Sequence, residues 1–480
     1  MCLKNICSYI TLFRRLYSYY SYYTENDKQH NLNILNNIIS SINECGSVMI
    51  KFCQWITPKL ELIYLDQNEI LNENKPEWLT KLENFYENCE DHSLEYTKDK
   101  YYEVFKENID DKYDIKEIIG SGSIGQTYLI EDIKTKEQNV MKILHPNVKN
   151  QINFFEKFMK FILFFPCIKK KFKQVFPFNL FEFISQFKQQ TDFNIEANHL
   201  LYFYREYENN QFIIIPRLIK CSPSILIMSY EPGVSLDDSN LDEYQKNKIV
   251  NLYHLFVRNN QILKNYNHGD LHPGNWKVSN DLDKNNHKLI FYDFGYCWSI
   301  PKKLFSETGT IFWDTFEECD NVNLETSINN FTQLLYVSIL YDEPDKKEFK
   351  LKLKEFVKTK SQNIQKLDVY YCFETIVEYC ILNDLYINPI LLQCFIILIQ
   401  GEKMFEKYGL MTSKNNEISD YSVYREKYLD ILTFCKTYDI FEEHSEYIEN
   451  KLNDKQVEVS GIFDTIELDE SIKELLIIPN

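Results

Sequence analysis

Two short polar motifs, joined by a segment with the pattern of a β-hairpin, constrain this chain more than any other feature. The first motif is His268-Gly-Asp270-Leu-His272-Pro-Gly-Asn275, and the second is Asp293-Phe-Gly295. The tight bend at Pro273-Gly274 is predicted to turn the Asp270 and Asn275 side chains toward one cleft. Residues 276–294 read as a hairpin with residues 281–286 as its turn, which brings Asp293 back to the same place.

These residue types suit phosphate chemistry assisted by a divalent cation. The Asp270 carboxylate can accept or orient the proton of an attacking hydroxyl or water. The amide oxygen of Asn275 and the carboxylate of Asp293 are ligands of the kind that Mg²⁺ prefers. ATP and Mg²⁺ are therefore the predicted nucleotide and metal.

A predicted antiparallel β unit precedes these motifs. A strand from Lys116 leads into a glycine-rich turn, a second strand starts at Thr127, and a third covers Val140–Leu144. Between two strands, such a turn suits a flap whose backbone N–H groups approach phosphates; before a helix it would indicate a dinucleotide site. Alone it is equally consistent with a plain tight turn. The candidate glycines are Gly120, Gly122 and Gly125.

Lys142, in the third of these strands, is the candidate ligand for the α- and β-phosphates. Strand alternation places it opposite Met141 and Ile143, which are predicted to face a core. Glu196 is its candidate ion-pair partner, and the 54 residues between them predict an insertion in this lobe. The alternatives are an exposed strand lysine and a solvated helix glutamate.

The pattern as a whole predicts an α+β, protein-kinase-like fold with two lobes. Residues 1–112 are assigned to an N-terminal helical extension, 113–230 to a β-rich lobe with a helical insertion, 231–411 to a mostly helical lobe, and 412–480 to acidic helices and a tail. Met228 and Tyr230, at the junction of the lobes, are predicted to contact the nucleotide. The first helical stretch is expected to end near Pro58, and residues 63–112 to be solvated helices and loops without a core.

The composition limits the kinds of molecule that this chain is expected to bind. The chain has 480 residues, with 53 Lys and Arg against 71 Asp and Glu, and this net charge of -18 argues against general nucleic-acid binding. Its 13 cysteines show no metal-binding spacing and indicate reduced thiols in an intracellular protein. The N-terminus lacks the pattern of a secretory signal; it suits an amphipathic helix or, alternatively, a transit peptide.

The two best apolar runs, residues 161–168 and 390–399, are shorter than the roughly 18 residues of a membrane span, so no transmembrane helix is expected. The first run is followed by three lysines, 169–171. We interpret it as a buried helix, with contact to a lipid or membrane surface as the alternative.

Together the motifs resemble the ABC1/ADCK/UbiB family of atypical protein kinases. Beyond the features shared with other kinases, Lys51-Phe-Cys-Gln54 resembles the family's KxGQ motif, and Ser123-Ile-Gly-Gln126 the second half of its alanine-rich loop. Residues 142–146 match its lysine strand, and residues 192–198 its helix motif with Glu196. Gly401-Glu402 is a looser match. The resemblance spans roughly residues 40–410.

This resemblance implies a kinase-like fold in which the KxGQ helices pack over the cleft where a protein substrate would otherwise dock. It implies MgATP binding with ATPase or restricted phosphotransfer activity, and a role in ubiquinone biosynthesis or lipid homeostasis, often in mitochondria. Lys51 and Gln54 are expected to reach the active site, and Ser123 and Gln126 to lie in the nucleotide-binding loop.

The chain departs from the family pattern in three places. Cys53 replaces the glycine of KxGQ, and Gln190 replaces a glutamate, so no carboxylate partner is expected for Lys51 and its inhibitory contact should be weaker. Gly120, Ser121 and Gly122 stand where the family has alanines, and the absence of Cβ atoms at the glycines predicts closer approach of the backbone to phosphates and tighter nucleotide binding.

Two other interpretations stay open. The segment HGDLHPGN also resembles aminoglycoside and choline kinases, which phosphorylate small-molecule hydroxyls but lack the KxGQ extension. A pseudokinase scaffold that binds nucleotide without turnover would carry the same residues. The sequence does not choose among protein, lipid, small molecule and water as the phosphate acceptor.

Overall fold

The computed structural model describes residues 2–22, 28–64, 76–83, 91–175, 177–279, 287–301, 324–340, 346–360, 369–408 and 422–453. Its helices are α1 (Cys2–Tyr22), α2 (Lys28–Cys45), α3 (Ser47–Tyr64), α4 (Glu77–Glu83), α5 (Leu94–Phe105), α6 (Val148–Ile162), α7 (Pro166–Val175), α8 (Leu180–Gln190), α9 (Phe193–Tyr207), α10 (Glu243–Arg258), α11 (Leu324–Ser338), α12 (Lys346–Lys360), α13 (Val369–Leu382), α14 (Pro389–Tyr408), α15 (Ser422–Tyr438) and α16 (Glu442–Leu452). Its strands are β1 (Tyr113–Ser121), β2 (Gly125–Asp132), β3 (Gln138–Leu144), β4 (Ile213–Ile214), β5 (Leu218–Ser222), β6 (Ile225–Ser229), β7 (Gly233–Val234), β8 (Asn267–His268), β9 (Trp276–Ser279), β10 (Leu289–Phe291), β11 (Cys297–Trp298), β12 (Ile339–Leu340) and β13 (Tyr386–Ile387).

The small lobe is built on an antiparallel sheet of order β1-β2-β3-β6-β5. Met141 and Ile143 of β3 are fully buried on one face of this sheet, as strand alternation predicts. Tyr101 and Phe105 of α5 pack against that face and are buried too. The expectation that residues 63–112 contain no core is therefore wrong: the charged positions of α5 are its solvent side, and its aromatic residues cover the sheet.

The extension and the insertion share one apolar core. Helices α6–α8, which lie between β3 and α9, pack against α1–α3 through a cluster that includes Tyr9, Ile42, Phe155 and Phe183. The expected helix end near Pro58 is wrong, because α3 continues through this residue to Tyr64. Apolar packing of α3 ahead of Pro58, through residues such as Met49 and Cys53, outweighs the one backbone hydrogen bond that a proline removes.

The large lobe is mostly helical and contains a small sheet of order β4-β10-β9-β7. β9 and β10 pair in antiparallel fashion, as predicted for the hairpin, whereas its turn at residues 281–286 lies outside the described residues. A β-rich lobe, a helical lobe and a helical extension together confirm the predicted α+β, two-lobed, kinase-like fold.

The segment around residues 161–168 is exposed, and its interpretation as a buried helix is wrong. It forms the end of α6 and the start of α7. The exposed fractions of Phe161 and Phe164 are 63% and 78%. Among the described residues, no helix combines the length and apolar character needed to cross a bilayer.

Candidate active site

Lys142 contacts one carboxylate of its own lobe and one carboxylate of the large lobe. Its Nζ donates to Glu196 Oε1 and Oε2 at 2.8 and 3.0 Å and to Asp293 Oδ1 at 3.0 Å. Asp192 caps the N-terminus of α9 by accepting from the Asn194 N–H at 3.1 Å, so Glu196 falls in the first turn of that helix. The structure thus brings together the lysine, its candidate partner and the candidate metal ligand.

The two carboxylates that contact Lys142 differ in their pKa values. Burial favours a neutral Lys142, but Asp293 and Glu196 outweigh it and raise the pKa of the ammonium above its usual value. Burial raises the pKa of Glu196 to about 7 even though Lys142 opposes this. Burial would also raise the pKa of the more exposed Asp293, yet Lys142 and Lys51 lower it well below its usual range. Asp293 is therefore the more acidic carboxylate of the pair.

The catalytic-loop motif is held in place by hydrogen bonds within the loop. His268 Nε2 donates to the Tyr292 carbonyl at 2.9 Å, which leaves Nδ1 to accept from the Asp270 N–H at 3.2 Å. Gly269 lies against Tyr296, and an added Cβ would collide with that ring. The loop backbone is thereby fixed on both sides of Asp270.

Asn275 and Asp293 present oxygen ligands that suit Mg²⁺. The Asn275 Nδ2 donates to the Asp270 carbonyl at 2.8 Å, so its Oδ1 is the atom left for a cation. Asp293 has φ +52°, in the left-handed region, and its Oδ1 accepts from the Gly295 N–H at 3.2 Å. Two hard oxygen ligands, completed by phosphates and water, fit the octahedral preference of Mg²⁺.

Only one of the three candidate loop glycines is required by the fold. A Cβ on Gly125 would lie 2.6 Å from the Ile143 carbonyl oxygen, whereas one on Gly120 would meet nothing within 4 Å. Gly122 donates its N–H to the Gly125 carbonyl at 3.0 Å and leaves room for a Cβ. Alanine would fit at both outer glycines, so tighter nucleotide binding from their absent Cβ atoms stays a prediction.

Gln126 does not line the cleft, contrary to its assignment as a nucleotide-binding residue. Its side chain is fully buried. Its Oε1 accepts from the His92 N–H at 2.8 Å and its Nε2 donates to the Tyr128 hydroxyl at 2.9 Å. Gln126 and Tyr128 lie on the sheet face covered by α5, and Lys142, paired with Thr127, lies on the other.

A histidine pair missed by the sequence analysis fixes the glycine-rich loop. His145 Nε2 donates to the Gly122 carbonyl at 2.9 Å, and its Nδ1 lies 2.7 Å from His92 Nδ1. Since a carbonyl only accepts, the neutral His145 accepts from His92, whose Nε2 then accepts from the Thr97 hydroxyl at 2.9 Å. Burial, followed by the neighbouring His145, lowers the pKa of His92 to about 4 and keeps both rings neutral.

The extension contacts both halves of the site through α3. Lys51 Nζ lies 3.5 Å from Asp270 Oδ2, and the Ser123 hydroxyl donates to Gln54 Oε1 at 3.1 Å. The expectation that Lys51 has no carboxylate partner is therefore wrong. With Gln190 in place of a glutamate, the nearest carboxylate is the candidate catalytic one. The Ser123 hydroxyl is thus hydrogen-bonded to the N-terminal extension.

Met228 and Tyr230 lie where the two lobes meet. Met228, in β6, pairs with Val140 and shares the sheet face of Lys142. The Tyr230 N–H donates to the Gln138 carbonyl at 3.3 Å at the end of the same strand pair. Their contact with a nucleotide stays a prediction.

Comparison with known proteins agrees with this geometry. The ABC1 atypical kinase-like domain matches residues 87–322. A probable serine/threonine-protein kinase, abkC, of Dictyostelium discoideum is 27% identical over 256 residues, covering 52% of this chain and 35% of that protein. An ABC1 family protein of Schizosaccharomyces pombe, described as mitochondrial, is 24% identical over 326 residues, covering 59% of this chain and 44% of that protein. The chain thus spans less than half the length of these two relatives.

Among solved structures, the Mycobacterium tuberculosis protein Rv3197 in complex with erythromycin shares 16% identity at a TM-score of 0.40, covering 62% of this chain and 74% of that one. The match to the ABC1 domain includes the glycine-rich loop, Lys142, Glu196 and both polar motifs. This chain contains an ABC1 atypical kinase-like domain.

Proposed function

We propose that this protein binds MgATP and either transfers the γ-phosphate to an acceptor or hydrolyses it. The observation that supports this most directly is the contact of Lys142 with both Glu196 and Asp293 at 2.8–3.0 Å. One carboxylate is enough to neutralise the charge of a buried lysine. The second contact of Lys142 can therefore be replaced by phosphate oxygens when nucleotide and metal bind.

Each residue then has a role that follows from its position. Mg²⁺, held by Asp293 and Asn275, would neutralise phosphate charge. Lys142 orients the α- and β-phosphates, and Glu196 keeps its ammonium in place. The Asp270 carboxylate faces the acceptor, and Lys51 lowers its pKa despite burial, so it is ionised and able to accept a proton.

Binding is tested by calorimetry with MgADP, comparing the wild type with Lys142→Met. Lys116→Met, which replaces a surface lysine on β1, is the control. We expect Lys142→Met to weaken binding at least tenfold, because two charge-assisted contacts are lost, and the control to bind normally. Equal affinity in all three proteins would contradict the proposed nucleotide site.

A pseudokinase role is the second candidate, favoured by the Lys51–Asp270 contact at 3.5 Å, which places a cation on the candidate catalytic group. The two functions differ in what Asp270→Asn does. Loss of ADP release with preserved MgADP binding supports turnover. Preserved cellular function in Asp270→Asn together with loss in Lys142→Met supports a binding role alone.

We also propose that the turn between α6 and α7 contacts an anionic lipid surface. Phe161, Phe164 and Phe165 are exposed there beside the exposed lysines 169–171, in a chain that is acidic overall. Flotation with vesicles containing phosphatidylglycerol tests this: wild type should float, whereas Phe164→Ser or neutral vesicles should reduce the bound fraction severalfold. No difference would reject it. An organellar location remains a further proposal, supported by the mitochondrial description of one relative. A link to ubiquinone or lipid metabolism is a proposal that rests on the family resemblance alone.

A further inference from the structure

Asp293 has a backbone conformation that costs free energy. Its φ of +52° lies in the left-handed region, where the Cβ atom of an L-residue is crowded by the backbone. Such a conformation persists only when the surrounding structure holds it, and it is found most often at functional sites. The contacts on either side of Asp293 therefore determine how this candidate metal ligand is presented.

The peptide group before Asp293 and the one after Phe294 are each held by a histidine. His268 Nε2 donates to the Tyr292 carbonyl at 2.9 Å, and His199 Nδ1 donates to the Phe294 carbonyl at 2.8 Å. Because a carbonyl oxygen only accepts, Nδ1 of His199 carries the proton of this hydrogen bond. The strained segment is thus fixed at one end by the catalytic loop and at the other by α9.

The hydrogen bond from His199 also orients a second donor toward Asp293. The Phe294 carbonyl and the Gly295 N–H belong to one planar trans peptide group and point in opposite directions. Fixing this carbonyl therefore fixes the N–H, which donates to Asp293 Oδ1 at 3.2 Å. The same oxygen accepts from Lys142 Nζ at 3.0 Å, so the two hydrogen bonds together set the rotation of the carboxylate.

His199 lies on the face of α9 that already contributes to the site. Glu196 comes three residues before it and Phe203 four residues after it, so the three side chains align along one side of the helix. Glu196 contacts Lys142 at 2.8 Å, and the rings of Phe203 and Phe294 pack with their centres 4.9 Å apart. One helix therefore contacts both the phosphate-binding lysine and the segment of the metal ligand.

We propose that His199 is a positioning residue for Asp293, which keeps the carboxylate turned toward a bound cation by holding the Phe294 carbonyl. The proposal rests on the MgATP function proposed above and adds the residue that couples α9 to the metal ligand. Because the ring acts through the backbone between Phe294 and Gly295, its loss should weaken Mg²⁺ binding. The contact of Lys142 with nucleotide phosphates should remain.

Four substitutions in the full chain separate this role from a purely structural one. His199→Asn keeps a donor at the position of Nδ1, whereas His199→Gln moves the donor to the position of Nε2 and His199→Leu removes it. Leu200→Val, at a buried position of the same helix, changes packing alone and is the matched control.

Two measurements are made on each protein. Calorimetry gives the ADP affinity at a series of Mg²⁺ concentrations and in EDTA, which separates metal binding from the contact of the nucleotide with Lys142. Hydrogen exchange of residues 292–297, without nucleotide or metal, reports whether the Gly295 N–H is held. Neither readout depends on turnover.

We expect His199→Leu and His199→Gln to raise the Mg²⁺ concentration for the half-maximal gain in ADP affinity about tenfold, the effect of one lost hydrogen bond. Both should also exchange faster over residues 292–297, while their ADP affinity in EDTA stays within twofold of the wild type. His199→Asn should remain within threefold of the wild type in its Mg²⁺ dependence, and Leu200→Val should leave that dependence unchanged.

A normal Mg²⁺ dependence in His199→Leu or His199→Gln would overturn the proposal, as would a loss in His199→Asn as large as that in His199→Gln. An equal loss in Leu200→Val would assign the effect to packing and would overturn it too. If His199→Leu does not fold, the two amide variants test the proposal on their own. Failure of the wild type to bind MgADP would instead reject the proposed nucleotide site.

Discussion

Replacing Lys59 by methionine should stabilise the protein at neutral pH. This lysine of α3 lines a small cavity beside Asp270 and is 2% exposed. Burial lowers the pKa of its ammonium from 10.5 to about 7, with Asp270 opposing and Lys51 adding to the effect. Because each tenfold change in proton affinity is worth about 1.4 kcal/mol, the buried amine costs the folded state about 5 kcal/mol at or below pH 7.

Methionine keeps the packing of the side-chain stem but loses two contacts. Lys59 Nζ donates to the Trp55 carbonyl at 2.6 Å and lies 4.1 Å from the centre of the Trp55 ring. These contacts together stabilise by about 2 kcal/mol. The net expectation is therefore an increase of about 3 kcal/mol in the free energy of unfolding at pH 7.

The lowered pKa of Lys59 makes the stability of the wild type depend on pH. Between pH 7 and 10.5 the unfolded chain binds more protons at this position than the folded one, so wild-type stability rises with pH across that window. Urea unfolding followed by circular dichroism should show the advantage of Lys59→Met at pH 7 vanishing toward pH 10. Lys149→Met, at an exposed position on α6, is the control and should show no such trend. A Lys59→Met protein that is less stable than wild type at pH 7, or equally shifted at both pH values, would refute the reasoning.

Three further substitutions follow from the site. Gly125→Ala should lower the free energy of unfolding by about 2 kcal/mol in urea titration, because the new Cβ would lie 2.6 Å from a strand carbonyl, whereas Gly120→Ala should be neutral. Lys51→Met removes a cation 3.5 Å from Asp270 and should raise the rate of ADP release severalfold with MgADP affinity unchanged; a slower rate would count against an inhibitory contact. Glu196→Gln should weaken MgADP binding roughly tenfold in calorimetry, because an ammonium–carboxylate contact of 2.8 Å becomes a weaker ammonium–amide contact, and unchanged affinity would contradict its positioning role.

Residues whose roles follow from local pattern were predictable from the sequence. The neighbours of Lys142 alternate along a strand, and the tight bend before Asn275 sets the side-chain directions of the catalytic loop. Strand alternation, once Thr127 is paired with Lys142, also assigns Gln126 and Lys142 to opposite faces of the sheet. The assignment of Gln126 to the nucleotide site came from the family resemblance of its loop and overlooked that alternation.

Contacts between segments far apart in sequence were not predictable in the same way. The partner of Lys51 depends on how α3 packs against the catalytic loop. The position of α3 is set in turn by the apolar core that the extension and the insertion share. The cavity beside Asp270 likewise forms only because α8 and α14 meet beneath α3. No local periodicity of Gln190 or Gln393 marks them as neighbours. The aromatic side of α5 was hidden by its charged composition, although its buried residues Thr97, Tyr101 and Phe105 recur every four residues along the helix.

The central claim is that Lys142, Asp293 and Asn275 form a working MgATP site, and ADP release by the purified full chain tests it most directly. The rate is measured with Mg²⁺ for the wild type and for Asp293→Asn, with and without anionic vesicles. We predict ADP release that requires Mg²⁺ and falls at least a hundredfold in Asp293→Asn, because an ionised metal ligand is lost. Wild-type ADP release no greater than that of Asp293→Asn under every condition would contradict it.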